Sequence, residues 1–230
     1  MNNKKVVKAE KTKRRTVVHT IDKGDGKTER KEFAAIRAGL SWPIPGGTPS
    51  YFVVVGEEYV PASKYEGQES QRGRLIFLGE HEAGSFLMDI LPSLTDHCTL
   101  FGCNDIYCDF DERKENHIDE VHFCRTFVYD QKVGHINFLE APHHNDFSLG
   151  ISLIRHFINQ GLLTVPEGSL AHEQLKALTE QDLGDSPETH FHALNGLRFV
   201  IGAFYKFAPH YGPVFTPKRP YKPRTGRGLR

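Results

Sequence analysis

A chain of 230 residues with 38% hydrophobic and 25% charged side chains has the size and composition of one globular domain with tails, or at most two small domains. No run approaches the roughly 18 apolar residues of a membrane span. The basic start MNNKKVVKAEKTKRR has no apolar stretch of a secretory signal. The expectation is a cytoplasmic protein with no membrane partner, its four cysteines held as thiols.

Charge is unevenly placed along the chain. Residues 1–32 carry 11 Lys+Arg against 5 Asp+Glu, residues 217–230 carry 6 Lys+Arg and no acid, and the middle carries 12 against 24. Basic ends on an acidic body point to a polyanion or an acidic partner, or serve solubility alone. The expected organisation is a basic flexible arm over residues 1–30, a folded domain over 31–208 and a basic Pro/Gly-rich tail over 209–230.

In chain order, Phe33, Ile36 and Leu40 fall on one face of a predicted helix over Lys31 to Leu40, ended by Trp42-Pro43 and the PGGTP turn. Tyr51 to Val55 (YFVVV) is a β-branched and aromatic strand closed by Gly56-Glu57-Glu58. Ser63 to Gly73 is a polar connection, and Leu75 to Leu78 (LIFL) is a second strand followed by Gly79-Glu80. Ser85 to Leu94 reads as a helix whose last turn Pro92 breaks. Thr99 to Phe110 reads as a buried strand running into a charged loop, Asp111 to Glu115. Val121 to Tyr129 and His135 to Leu139 are further strands about a Gly134 turn.

The strongest helix signal is Ser148 to Gly161. Leu149, Leu153, Ile154, Phe157 and Ile158 form its apolar stripe, and Gly161 suits its C-terminal cap. Leu162 to Val165 is short and extended, Pro166 starts a turn, and Leu170 to Leu178 is a helix. His192 to Phe207 is a last helix, apolar on most sides and so buried. Strands followed by helices without regular alternation predict an α/β fold, a sheet with helices packed against it.

Several residue groups could carry chemistry. There is no P-loop, GxGxxG or GxSxG, so nucleotide hydrolysis and serine hydrolysis lack support. Carboxylates follow predicted strands at Glu57, Glu58, Glu80, Glu82, Asp105, Asp109 and Asp111. Such groups can converge on two hard cations that clamp a phosphoryl displacement, although acids after strands commonly face water. His143, His144 and Asp146 precede the Ser148 helix, where an Asp146 or Ser148 cap is the better reading than a metal. Cys98, Cys103, Cys108, His122 and Cys124 lack knuckle spacing and read as buried thiols. His190, His192 and Asn195 cluster at the start of the last helix, with Asn195 one turn beyond His192.

The segment His192-Ala193-Leu194-Asn195-Gly196-Leu197-Arg198-Phe199 resembles the last helix of the nuclease domain of tailed-phage large terminase subunits, which often reads D-H-A-x-D-A-L-R-Y. The run Leu153-Ile154-Arg155, then Gly161-Leu162-Leu163-Thr164-Val165-Pro166, then Gln174-Leu175, is similar to the stretch before that helix. The strand YFVVVGEE and the strand end Ile106-Tyr107-Cys108-Asp109 keep the same order, so the resemblance spans roughly residues 33–207.

The resemblance implies an RNase H-like mixed sheet flanked by helices, with disordered basic arms, and two-metal cleavage of DNA with Mg²⁺ or Mn²⁺ during genome packaging. Its site falls on Glu58 (Glu57 the near alternative), Asp109, His192 and Asn195. Glu58, Asp109 and Asn195 would be the metal ligands. Asn195 stands where the family has an aspartate and is a weaker cation ligand. The implied partners are double-stranded DNA and the packaging motor or other virion subunits. Lys4, Lys5, Lys13, Arg14, Arg15, Lys218, Arg219, Arg224 and Arg227 would meet the DNA. The runner-up is a degenerate RNase H-like protein that binds DNA or serves packaging and assembly without cutting.

Overall fold

The computed structural model describes residues 5–11, 16–24, 27–43, 49–60, 73–109, 136–142, 146–183 and 191–206. Its strands are β1 (Lys5–Lys11), β2 (Val17–Gly24), β3 (Lys27–Ser41), β4 (Ser50–Glu58), β5 (Leu75–Gly84), β6 (Asp105–Cys108), β7 (Asn137–Glu140) and β8 (Leu163–Thr164). Its helices are α1 (Leu87–Phe101), α2 (Phe147–Asn159), α3 (Leu170–Ala177) and α4 (His192–Lys206).

β3, β4 and β5 form an antiparallel meander, and β8 pairs with the outer side of β5 in parallel. The other edge of β3 is shared. Its N-terminal half pairs antiparallel with β2, which pairs with β1. Its C-terminal half pairs in parallel with β6, which carries β7. Across the widest part the order is therefore β8-β5-β4-β3-β6-β7.

Both faces of this sheet are covered, which explains the unbroken apolar run in β4. Phe52 and Val54 face the layer that holds Ile90, Leu91 and Leu94 of α1. Val53 and Val55 face the opposite layer, built from α2, α3 and α4 with Ile154, Phe157, Leu194, Leu197 and Phe204. No helix among the described residues is long and apolar enough to cross a membrane.

Three expectations are corrected. The Lys31–Leu40 segment is strand, not helix. The pairing of β3 with β4 shifts register between Phe33 and Ala35. A bulge there adds one residue to the side-chain alternation. Phe33 and Ile36, three apart, thus enter the same layer with Ala38 and Leu40, and the sequence imitates a helical stripe.

The second correction concerns the N-terminal arm, since residues 5–11, 17–24 and 27–30 are strand. Its average composition is polar, but Val17, His19 and Ile21 alternate inward and are buried. The third concerns Thr99–Phe110. α1 runs on to Phe101 with Pro92 inside it. Pro92 lies on an exposed face, where the carbonyl it leaves unbonded can meet water. Gly102, at φ 66°, then ends the helix, and the strand is only Asp105–Cys108.

The remaining predicted elements hold. Asp146 caps α2 by accepting from Leu149 N–H at 2.9 Å, and Gly161 follows at φ 67°. α4 is buried along His192 to Phe204. The Val121–Tyr129 strand, the Asp111–Glu115 loop, most of the Ser63–Gly73 connection and the 209–230 tail lie outside the described residues.

Candidate functional site

β3 and β6 run side by side in the same direction, so their C-terminal ends meet at one edge of the sheet. The register pairs Leu40 with Cys108, which brings the next residues, Ser41 and Asp109, to that edge. Arg37, Gly39 and Ser41 alternate with the α1-facing residues and so look toward α4. Each meets it: the Arg37 guanidinium lies 4.6 Å from the Phe204 ring centroid, Gly39 lies against the Gly196 backbone, and Ser41 reaches His192.

Ser41 Oγ is 3.2 Å from Nδ1 of His192, the first residue of α4. The hydroxyl donates to a bare Nδ1 or accepts from Nδ1–H according to the tautomer. One turn further, Asn195 Oδ1 accepts from Arg198 Nε at 2.8 Å. The Arg198 guanidinium stacks 4.6 Å from the Phe199 ring and 5.3 Å from that of Phe147 in α2. The Trp42 indole donates to the backbone carbonyl of Asp109 at 3.1 Å. Gln174 of α3 accepts from the Leu194 N–H at 2.9 Å and so fixes the start of α4. Ser41, Asp109, His192, Asn195 and Arg198 are each less than a tenth exposed, a dense group of buried polar side chains at one edge.

Three of the four predicted site residues, Asp109, His192 and Asn195, thus share this edge. Glu58 does not. It pairs in register with Phe33, eight residues along β3 from Ser41, roughly 26 Å at the strand rise. There it forms ion pairs with Arg74 at 3.2 Å and Lys31 at 3.6 Å. Glu57, paired with Ala35 and Leu75, is at the same far end. The physical reason is sheet order. β3 lies between β4 and β6, so the strand beside Asp109 is β3, and its stretch Phe33 to Ser41 holds no carboxylate. Ser41 occupies the place opposite Asp109.

The other strand-end acids serve the fold. Glu80 accepts from the Leu170 and Ala171 N–H groups at the start of α3. Glu82 accepts from the Tyr51 hydroxyl at 3.2 Å, and Asp105 from Asn137 Nδ2 at 2.9 Å. Cys98, Cys103 and Cys108 are buried thiols. The hydrogen bond its thiol donates to the Cys98 sulfur, together with burial, pushes Cys103 up. Cys124, His122, His143, His144, His190 and Asp111 lie outside the described residues, as do Lys4, Lys13, Arg14, Arg15, Lys218, Arg219, Arg224 and Arg227. Lys5 lies in β1.

A two-metal centre for Mg²⁺ or Mn²⁺ does not fit this donor set. Hard cations need several anionic oxygens. Among the described residues Asp109 is the carboxylate beside the start of α4, while Glu82, opposite Tyr51, takes the hydrogen bond of that hydroxyl and Glu140, opposite Cys108, is exposed at the end of β7. His192 is bonded to Ser41, and the Asn195 oxygen already takes a hydrogen bond from a guanidinium, whose charge opposes a cation. No group of three or more His, Cys, Asp or Glu that could hold a metal occurs among the described residues. A Ser–His pair is also the start of an acyl-transfer site. Ser41 and His192 are only 6% and 1% exposed, which leaves the hydroxyl poorly placed to attack a substrate.

Ser41 and Trp42 do not stand out as site residues while Lys31–Leu40 reads as a helix that Trp42-Pro43 ends. Their signal was present, as a polar residue next to an aromatic at the end of an apolar run. Comparison with protein-family models, curated proteins and solved structures returned no match.

Proposed function

We propose that this chain is an RNase H-like domain of the terminase-nuclease kind that works in DNA packaging as a non-cleaving, double-stranded-DNA-binding component. The strand order supports the fold half of this reading. An antiparallel meander, β3-β4-β5, continued by two strands parallel to β3 on its free side, agrees with the strand order expected of an RNase H-like sheet. In the terminase resemblance the final helix carries site residues, and here α4 brings His192 and Asn195 to the ends of β3 and β6.

The single observation that carries the non-cleaving reading is the chemistry at that edge. Where phosphodiester cleavage needs convergent carboxylates, the described residues bring to Asp109 a serine, a histidine and an amide bonded to arginine. The DNA half rests on charge. The basic runs near both ends of the sequence suit phosphates, while the acidic middle does not. Lys8 is paired with Glu10; the DNA contact is assigned to Lys4, Lys5, Lys13, Arg14 and Arg15 and to Lys218, Arg219, Arg224 and Arg227.

The test combines cleavage and binding. Purified protein with supercoiled plasmid and Mg²⁺ or Mn²⁺ leaves the plasmid intact. It retards duplex DNA at low salt, and affinity falls about 0.9 log unit per log unit of salt for each phosphate contacted. Nicking that disappears in Asp109→Ala would show an active centre and sink the non-cleaving reading. Absence of any duplex binding at low salt would sink the DNA reading. The double change Ser41→Asp with Asn195→Asp, which adds two carboxylates beside Asp109, is expected to create measurable Mn²⁺ binding.

A further inference from the structure

Away from that edge, three histidines meet around one phenylalanine. Phe101 closes the last turn of α1. The His19 ring of β2 lies 6.2 Å from it and the His81 ring of β5 lies 5.9 Å from it. His81 in turn stacks on His97 of α1 at 3.8 Å between centroids, tilted by 35°. Phe33 lies 5.0 Å from His19 and Phe52 lies 6.1 Å from His97, so aromatic rings line the group from the sheet side.

Each histidine ties two elements together in its neutral form. His19 is fully buried and its Nε2 donates to the Phe101 carbonyl at 2.7 Å. That bond fastens β2 to the end of α1. His19 Nδ1 and His81 Nε2 are buried without a hydrogen-bond partner, so a proton added at either would be a buried donor with no acceptor. His97 Nδ1 donates to the Ser93 carbonyl at 2.6 Å. Two imidazolium rings cannot stack 3.8 Å apart at low cost, because like charges at that distance repel strongly.

Among the described residues no hydrogen bond or ion pair joins a carboxylate to these rings; from β3, Lys31 lies opposite His19 and Glu29 lies opposite Ile21. From β5, Glu80 and Glu82 alternate to the opposite face, where they bind α3 and Tyr51. From β3 and β4, Lys31 and Glu58 are paired with each other. From β4, Phe52 pairs in register with His81. From α1, the neighbours are Ser93, Cys98 and, just beyond the helix, Cys103, all uncharged, while Asp96 is exposed.

We propose that His19, His81 and His97 form a proton-operated latch that holds the β1–β2 hairpin and the end of α1 on the sheet at neutral pH and releases them in mild acid. Burial pulls His19 below its ordinary range despite the Phe101 bond, and burial with His97 alongside pulls His81 down to about 4. Both shifts agree with neutral rings in the closed state. The rest of the fold, with α4 on β3 and β4, carries no part of this group.

Cys98 and Cys103, 3% and 2% exposed beneath the latch, supply the readout. Their labelling by dithiodipyridine, mapped by mass and expressed relative to the urea-unfolded chain at the same pH, is followed from about pH 7.5 to about pH 5. The expected result is a rise of roughly ten-fold or more in relative labelling. His81→Phe keeps a stacked ring without the proton, and His19→Gln keeps an N–H for the Phe101 carbonyl. Each should blunt the rise, and together they should abolish it. If His81→Phe does not fold at neutral pH, His97→Gln tests the same pair. Labelling that does not change with pH, or a rise undiminished in the folded variants, overturns the latch.

Discussion

α4 lies on β3 with backbone against backbone, and Gly39→Ala tests how much of the fold depends on it. A Cβ added at Gly39 would land on the carbonyl oxygen of Gly196, 2.8 Å from its carbonyl carbon and 3.1 Å from the nitrogen of Val200. An ordinary contact needs roughly 3.5 Å, and neither backbone can rotate aside. The helix must lift by more than about 1 Å, a gap that forfeits at least a quarter of its dispersion contact. Leu194, Leu197, Val200, Ile201 and Phe204 on this helix are completely buried, and each is worth about 2 kcal/mol. A quarter of that is about 2.5 kcal/mol, within the range for overpacked cores.

The reciprocal change behaves differently. At Gly196 a Cβ meets the Gly39 oxygen and Val53 Cγ2 at 3.1 Å, which a shift of a few tenths of an ångström relieves. Ala also gains about 1 kcal/mol of helix propensity over Gly. Urea melts followed by circular dichroism should therefore show Gly39→Ala less stable by about 2–3 kcal/mol, with Tm lower by roughly 5–12 °C. Gly196→Ala should stay within about 1 kcal/mol of the parent. A loss below about 1 kcal/mol for Gly39→Ala, or equal losses for the two, would refute the close approach.

Three further outcomes follow from single contacts. Glu80→Ala removes the carboxylate that caps α3 from β5 and should cost about 1–2 kcal/mol in the same melts; a cost near zero would mean that water caps the helix equally well. Asn195→Ala takes the acceptor from the buried Arg198 Nε and should cost about 2–3 kcal/mol, whereas a neutral change would remove this bond from the account of the site. Stability should also fall in acid through His81. Its folded value of about 4 lies below the ordinary 6.5, so the unfolded chain binds the proton more readily. The stabilisation is complete above about pH 6.5 and is lost progressively toward pH 4. With His81 only half-buried, solvent screening reduces the loss to roughly 1–2 kcal/mol, and an unchanged urea midpoint between about pH 7.5 and about pH 4.5 in the parent would contradict it.

The legible parts of the fold were those whose pattern is local. YFVVV reads as a strand because it is β-branched and aromatic throughout. The Ser148–Gly161 segment shows its stripe, its Asp146 cap and its Gly161 stop within the helix itself. At the site, Asp109 and His192 stood out as an acid at a strand end and a histidine opening a helix. Glu58 also stood out, for the same reason as Asp109, and local reasoning could not separate the two. Both follow an apolar strand, and only strand order puts one beside α4 and the other roughly 26 Å away.

Composition and periodicity were enough to establish an α/β protein with a buried last helix, buried cysteines and a basic start, because each depends on residues close together in the chain. The sheet is different. A bulge between Phe33 and Ala35 makes a strand look like a helix, and a hairpin of mixed polarity becomes ordered only by pairing with β3 and covering the end of α1. Register is a long-range property, set by which strand finds which neighbour and at what offset. It alone puts Ser41 opposite Asp109 and under His192, where a second carboxylate was expected. It also folds His19 against Phe101, 82 residues later, which no window of sequence contains.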